Sequence, residues 1–156
     1  MKKIFTIVFT LFITVISVNA QQKQVDLNWQ TDFEKAKQDA KADQKLILMY
    51  FTGSDWSKPC KLLNEDFFYT KKFKEATQDH FILVRINSPR RPDLISTAQI
   101  DKNLALRKLY SQKVFPSVVI TDAEGKQIGS VESYNYLHDT SKHYKLIDDS
   151  LQKKEH

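Results

Sequence analysis

One cysteine, Cys60, stands in the whole chain, and that count excludes an intramolecular dithiol–disulfide cycle. Three residues before it is Ser57, in the stretch Trp56-Ser57-Lys58-Pro59-Cys60. Serine is among the best residues for capping a helix start, worth about 1 kcal/mol over alanine. Pro59 has no amide to offer, so the natural donor to the Ser57 hydroxyl is the amide of Cys60. Ser57 therefore reads first as a structural cap. A serine hydrolase is not indicated, because the chain holds no Gly-x-Ser-x-Gly and no histidine near Ser57. The Cys60 thiol carries two readings. One is a buried, inert side chain one turn into a helix, followed closely by Leu62 and Leu63; the other is a monothiol that forms mixed disulfides with a partner or a small thiol.

The other chemistry-bearing residues point away from cofactors. His80, His138, His143 and His156 have no spacing with Cys60 or one another that suggests a metal site. Gly53, Gly125 and Gly129 are the three glycines, too few for a glycine-rich phosphate loop, so no nucleotide cofactor is implied. Acids and bases are interspersed, as in Asp32-Phe33-Glu34-Lys35 and Lys72-Phe73-Lys74-Glu75, which reads as solvated surface rather than a nucleic-acid footprint. Arg90 and Arg91 read as solvated loop residues, with binding of an acidic partner as the lesser alternative.

The chain has 156 residues, 41% hydrophobic and 12% aromatic, which suits a single domain with one sizeable core. Residues 1–20 have the three parts of a secretory signal peptide: Lys2 and Lys3, an apolar run from Ile4 to Val18, and small residues ending at Ala20. The run is short of the ~20 residues needed to span a bilayer. Removal of this leader takes the net charge from +5 to +3 and delivers the protein outside the cytoplasm, to a periplasmic or extracellular place. Residues 21–30 read as a mobile lead-in and 31–153 as the folded domain.

The elements that must position Ser57 and Cys60 follow from patterning. Thr31-Asp32-Phe33-Glu34 has the form of a capping box opening a helix that ends near Ala42, with Phe33, Ala36 and Ala40 on its apolar face. Leu46 to Phe51 and Phe81 to Ile86 are apolar runs suited to strands covered on both faces. Between them a helix begins near Ser57 and runs past Phe68, aligning Cys60, Leu63 and Phe67. Ser96-x-x-Gln99 caps a further helix carrying Ile100, Leu104 and Tyr110. Pro116 opens a third strand, Ser117 to Ile120, and the turn Asp122-Ala123-Glu124-Gly125 leads to a fourth, Lys126 to Val131, forming a hairpin. A last helix, Thr140 to Leu151, aligns Tyr144, Ile147 and Leu151. The order α-β-α-β-α-β-β-α implies an α/β fold with parallel pairing and an antiparallel edge.

With a buried strand before it and a helix after it, the Trp56–Cys60 stretch resembles the thioredoxin superfamily, in which Trp-Cys-x-x-Cys occupies this junction. Phe51-Thr52-Gly53-Ser54-Asp55-Trp56 before it, Lys61-Leu62 after it, Pro89-Arg90-Arg91 and Val114-Phe115-Pro116 extend the similarity to small exported bacterial thioredoxin-like proteins. The resemblance implies a thioredoxin-like fold, a central mixed sheet of about four strands flanked by helices, with an extra N-terminal helix. It matches Cys60 to the second, resolving cysteine and Ser57 to the place of the nucleophilic one. It matches Pro116 to a cis-proline facing the site, and Tyr50 to about the place of a buried acid that assists proton transfer. It also implies that Trp56, Pro59, Phe115 and Pro116 line a groove for an extended peptide of a protein client. In the family the first thiol is activated by the helix N-terminus and attacks a substrate disulfide; an alcohol ionises far too weakly to do so. The expectation is thus a protein of the thiol–disulfide oxidoreductase lineage without its nucleophile, a redox-degenerate binding domain. The alternative is a monothiol oxidoreductase acting through Cys60.

Overall fold

A computed structural model describes residues 25–155. The leader and residues 21–24 of the lead-in lie outside the described residues, as does His156. The described residues form a five-stranded mixed sheet flanked on both faces by helices, its strands lying in the order Trp29–Gln30, Phe81–Asn87, Leu46–Thr52, Ser117–Thr121, Gln127–Glu132. The strands are β1 (Trp29–Gln30), β2 (Leu46–Thr52), β3 (Phe81–Asn87), β4 (Ser117–Thr121) and β5 (Gln127–Glu132). The helices are α1 (Phe33–Ala42), α2 (Lys58–Leu63), α3 (Lys71–Thr77), α4 (Thr97–Leu109) and α5 (Ser141–Glu155). Strand β2 pairs parallel with β3 and antiparallel with β4, and β4 and β5 make the hairpin. Gly125 closes its turn at φ +92°, a conformation that costs glycine little.

The unbroken apolar run of β2 is explained by its central position: all seven residues are buried. Alternate side chains leave opposite faces. Leu46, Leu48 and Tyr50 enter one half of the core with Phe67, Phe68 and Ile147. Ile47, Met49 and Phe51 enter the other with Phe33, Ala36 and Tyr110. No helix among the described residues is long and apolar enough to cross a membrane.

Several elements differ from their sequence reading. The lead-in contains β1, which pairs parallel with Leu83 and Val84, so the sheet has five strands rather than four. The ring of Trp29 holds it there, 5.2 Å from that of Phe68 and 5.9 Å from that of Tyr50. The cap of α1 is Asp32, not Thr31: its carboxylate accepts the amides of Glu34 at 3.0 Å and Lys35 at 3.1 Å. An ionised cap also complements the positive end of the helix. The long helix expected after Ser57 is interrupted. A π-helical turn, Asn64–Phe68, widens it after α2, and α3 follows as a separate helix capped by Thr70. The extra residue in that turn lets the consecutive Phe67 and Phe68 both reach the core.

Helix α4 departs most. Its cap is Ser96, as the spacing implied, with the Gln99 amide as donor. Of the expected apolar face, Tyr110 is buried and Ile100 half-buried, but Leu104 is exposed and Asn103 is buried in its stead. The Asn103 amide donates to the Asn87 carbonyl at 2.7 Å and accepts from Gln99 at 2.8 Å. Polar satisfaction seats this helix against the end of β3, alongside the packing of Leu106 and Tyr110 on the core.

Candidate functional site

The site assembles at the C-terminal end of β2. After Thr52 the chain turns at Gly53, whose carbonyl accepts the amides of Trp56 at 3.3 Å and Ser57 at 2.8 Å. A Cβ on Gly53 would run into the indole of Trp56, so glycine is required for that ring to lie back on the turn. Ser57 then caps α2. Its hydroxyl accepts the amide of Cys60 at 3.4 Å, and Pro59 fills the first turn without wasting a donor. Ser57 is 3% exposed and Cys60 0%. Beneath the helix, the Tyr50 hydroxyl donates to the Cys60 carbonyl at 3.2 Å. Burial, reinforced by the adjoining Cys60 group, pushes the Tyr50 phenol well above its ordinary pKa. Tyr50 is therefore a fixed donor and offers no base.

The loop after β3 is fastened to this turn. Asn87 accepts the Ser54 amide at 3.0 Å and donates to the Ser54 hydroxyl at 2.8 Å. The Trp56 indole N–H donates to the Ser88 carbonyl at 2.9 Å. The Asp55 carboxylate accepts the amides of Arg90 at 3.1 Å and Arg91 at 3.0 Å. Partial desolvation opposes its ionisation, but the Arg91 and Arg90 amides outweigh that and hold its carboxyl below the usual carboxylate value.

From the other side comes the entry to β4. Phe51 of β2 pairs with Ser117, which places Pro116 beside the end of β2. The Phe115–Pro116 peptide is cis. Ser117 donates its hydroxyl to the Val114 carbonyl at 2.6 Å, and the Ser133 amide donates to the Pro116 carbonyl at 2.8 Å. The Phe115 ring meets Trp56 edge-on, with centroids 5.7 Å apart and planes at 90°. Trp56, Pro59 and Phe115 are half-buried, whereas Pro116 is buried. The structure thus brings Trp56 and Phe115 together, seats Ser57 on Cys60, and sets Pro116 at the adjoining strand end.

Two arginines join the aromatic pair. The guanidinium carbon of Arg90 lies 4.5 Å from the Trp56 ring centroid, and that of Arg107 lies 4.7 Å from the Phe115 centroid. Sequence patterning marks Arg90 as a solvated loop residue and gives no sign of Arg107. No local pattern marks Arg107, since α4 brings it to Phe115 only when Asn103 docks that helix on β3. Nothing in the sequence marks Asp55 and Asn87 as fasteners either, since their partners lie more than 30 residues away.

A buried strand leading into a capped helix start, with a cis-proline opening the adjacent strand, is the arrangement of the thioredoxin fold. The chain belongs to the thioredoxin-like family, whose model matches residues 28–123. It is 32% identical over 103 residues to the disulfide bond reductase DsbH of Chlamydia pneumoniae, covering 66% of this chain and 61% of that protein. It is 23% identical over 135 residues to the thioredoxin-related protein DsbJ of the same organism, covering 86% of this chain and 38% of that one. The chain thus spans less than two thirds of either relative. A solved DsbH oxidoreductase structure superposes with a TM-score of 0.72 at 27% identity, covering 81% of this chain and 86% of that one. A thioredoxin from Thermus thermophilus shares the fold, with a TM-score of 0.64 at 14% identity over 83% of this chain and 91% of that one. The protein is of the thiol–disulfide oxidoreductase lineage.

Proposed function

We propose that this protein is an exported binding domain that uses the groove of Trp56, Pro59, Phe115 and Pro116 to hold an extended segment of a protein client without covalent exchange. The observation that carries this reading is the pairing of Ser57 with Cys60. The position of the attacking thiol holds a hydroxyl that caps α2, and the remaining thiol is fully buried. A cap needs only a lone pair, which serine supplies; exchange needs a thiolate, which serine cannot become. The burial of Cys60 also opposes the monothiol alternative, since a new S–S bond requires a second sulfur at about 2.05 Å. Export rests on residues 1–20, with their basic start, apolar run and small-residue end.

An insulin-reduction assay on the wild type and on Ser57→Cys tests the reading. The wild type is expected to show no turnover above the reductant alone, and Ser57→Cys is expected to gain it, because Trp56, Pro59, Cys60 and Pro116 are all in place. Turnover by the wild type at the variant's rate overturns the proposal. Titration of Cys60 with a thiol reagent separates the alternative: reaction is expected only after unfolding, and stoichiometric labelling of the folded protein would instead favour the monothiol oxidoreductase.

A further inference from the structure

We infer that the groove selects an acidic peptide, an extended segment with Asp or Glu on either side of an apolar residue; this deepens the binding reading above and rests on it. Arg90, Trp56, Phe115 and Arg107 are linked in that order by contacts of 4.5, 5.7 and 4.7 Å. The middle two are apolar rings and each end is a guanidinium. An extended chain rising ~3.3 Å per residue needs no more than about four or five residues to reach from one guanidinium to the other. Lys58, exposed in the first turn of α2, adds a third cation 5.5 Å from the Tyr136 ring centroid.

Among the described residues, none of these three cations forms an ion pair, and neither guanidinium donates a hydrogen bond. The Nε of Arg107 is buried without a partner. The nearby acids are already engaged, Asp55 by the Arg90 and Arg91 amides and Asp93 by the Arg91 guanidinium at 2.5 Å. A guanidinium resting on a ring keeps its N–H fork for a planar acceptor, and carboxylate is the matching shape. A nucleic acid fits less well. Its phosphates are continuous, whereas here two apolar rings stand between the two guanidinium groups.

Calorimetric titration of the purified protein decides this with three blocked peptides of about seven residues. The first is Thr-Asp-Val-Phe-Val-Glu-Thr; the second carries Asn and Gln for its two acids, and the third carries Lys at both. The acidic peptide is expected to bind about tenfold more tightly than the amide one at low salt, with the lysine peptide weaker again. That ratio is expected to shrink in concentrated salt. Arg90→Gln combined with Arg107→Gln is expected to bring the ratio near one, and Arg90→Lys with Arg107→Lys to preserve most of it. Circular dichroism of each variant confirms folding. Equal binding of all three peptides, or a preference that survives the double glutamine variant, overturns the acidic selectivity while leaving the groove intact. Binding of none of the peptides overturns the groove reading itself, and the inference with it. Tighter binding of a single-stranded oligothymidylate than of the acidic peptide also overturns the inference.

Discussion

At position 57 the hydroxyl and the missing thiol share one structural task and differ in one chemical one. Either side chain sits at the helix start, but the Ser57 oxygen accepts the Cys60 amide and remains a neutral acceptor at every pH the protein meets. Ser57→Ala is expected to lower stability by about 1 kcal/mol, seen as a lower urea midpoint with an unchanged slope. Gly53 is bound to its neighbour by space instead of by a hydrogen bond. Gly53→Ala drives a methyl into the Trp56 indole, so a cost of about 1–3 kcal/mol and a shifted tryptophan emission are expected. An unshifted emission would mean that the turn yields and the ring stays.

The elements around the site are held by polar fasteners as much as by apolar packing. Asn103 is the instructive case. A helical reading of α4 by apolar period selects Ile100, Leu104 and Tyr110; Tyr110 does enter the core, but Leu104 is exposed, and an amide bonded to the last carbonyl of β3 helps to seat the helix. Replacing Asn103 by alanine leaves the Asn87 carbonyl without its donor and is expected to cost about 1–3 kcal/mol. The same variant is expected to reduce hydrogen-exchange protection of the Arg90 and Arg91 amides, because Asn87 also anchors the Ser54 turn beside them. Hydrogen exchange resolved by residue checks this; unchanged protection at residues 90 and 91 would separate the two fasteners. Much of the fold was legible because strands and caps obey short-range rules. The burial of β2, the hairpin turn and the Ser57 cap all follow from spacings within a few residues. The β1 pairing, the π-helical turn and the seat of α4 were not legible. Each depends on a partner dozens of residues away or on a one-residue adjustment that lets Phe67 and Phe68 share a core.

For the whole molecule the clearest pH response comes from His143, buried on α5 against Phe67 and Tyr134, with ring centroids 5.2 and 5.7 Å away. Burial lowers its pKa to about 4 from an ordinary 6.5, with the Asp139 carboxylate pulling weakly the other way. The folded protein therefore holds His143 neutral while the unfolded chain protonates it. That contribution to stability is complete above pH 6.5 and is lost as the pH falls from 6.5 through 4. The loss comes to about 3 kcal/mol over that window. Denaturation at several pH values should show this decline, and His143→Phe should flatten it. The carboxyls held low, such as Asp32 and Asp55, lose their contribution only as the pH falls below their ordinary value of 3.8, so the two responses separate. A profile flat between pH 6.5 and 4 in the wild type would place His143 in contact with water.

The sequence by itself determined that no internal disulfide forms, since one cysteine cannot pair. It also determined that Ser57 caps a helix over Cys60, because a hydroxyl three residues before an amide, with proline between, leaves one good donor. Only the tertiary structure decided that the surviving thiol is sealed and that Arg107 rests on Phe115 while Arg90 rests on the adjoining Trp56. The physical reason is range. A cap is closed by atoms of a single turn, whereas burial and cation–ring contact require α4, the β3 loop and the entry to β4 to converge on the end of one strand.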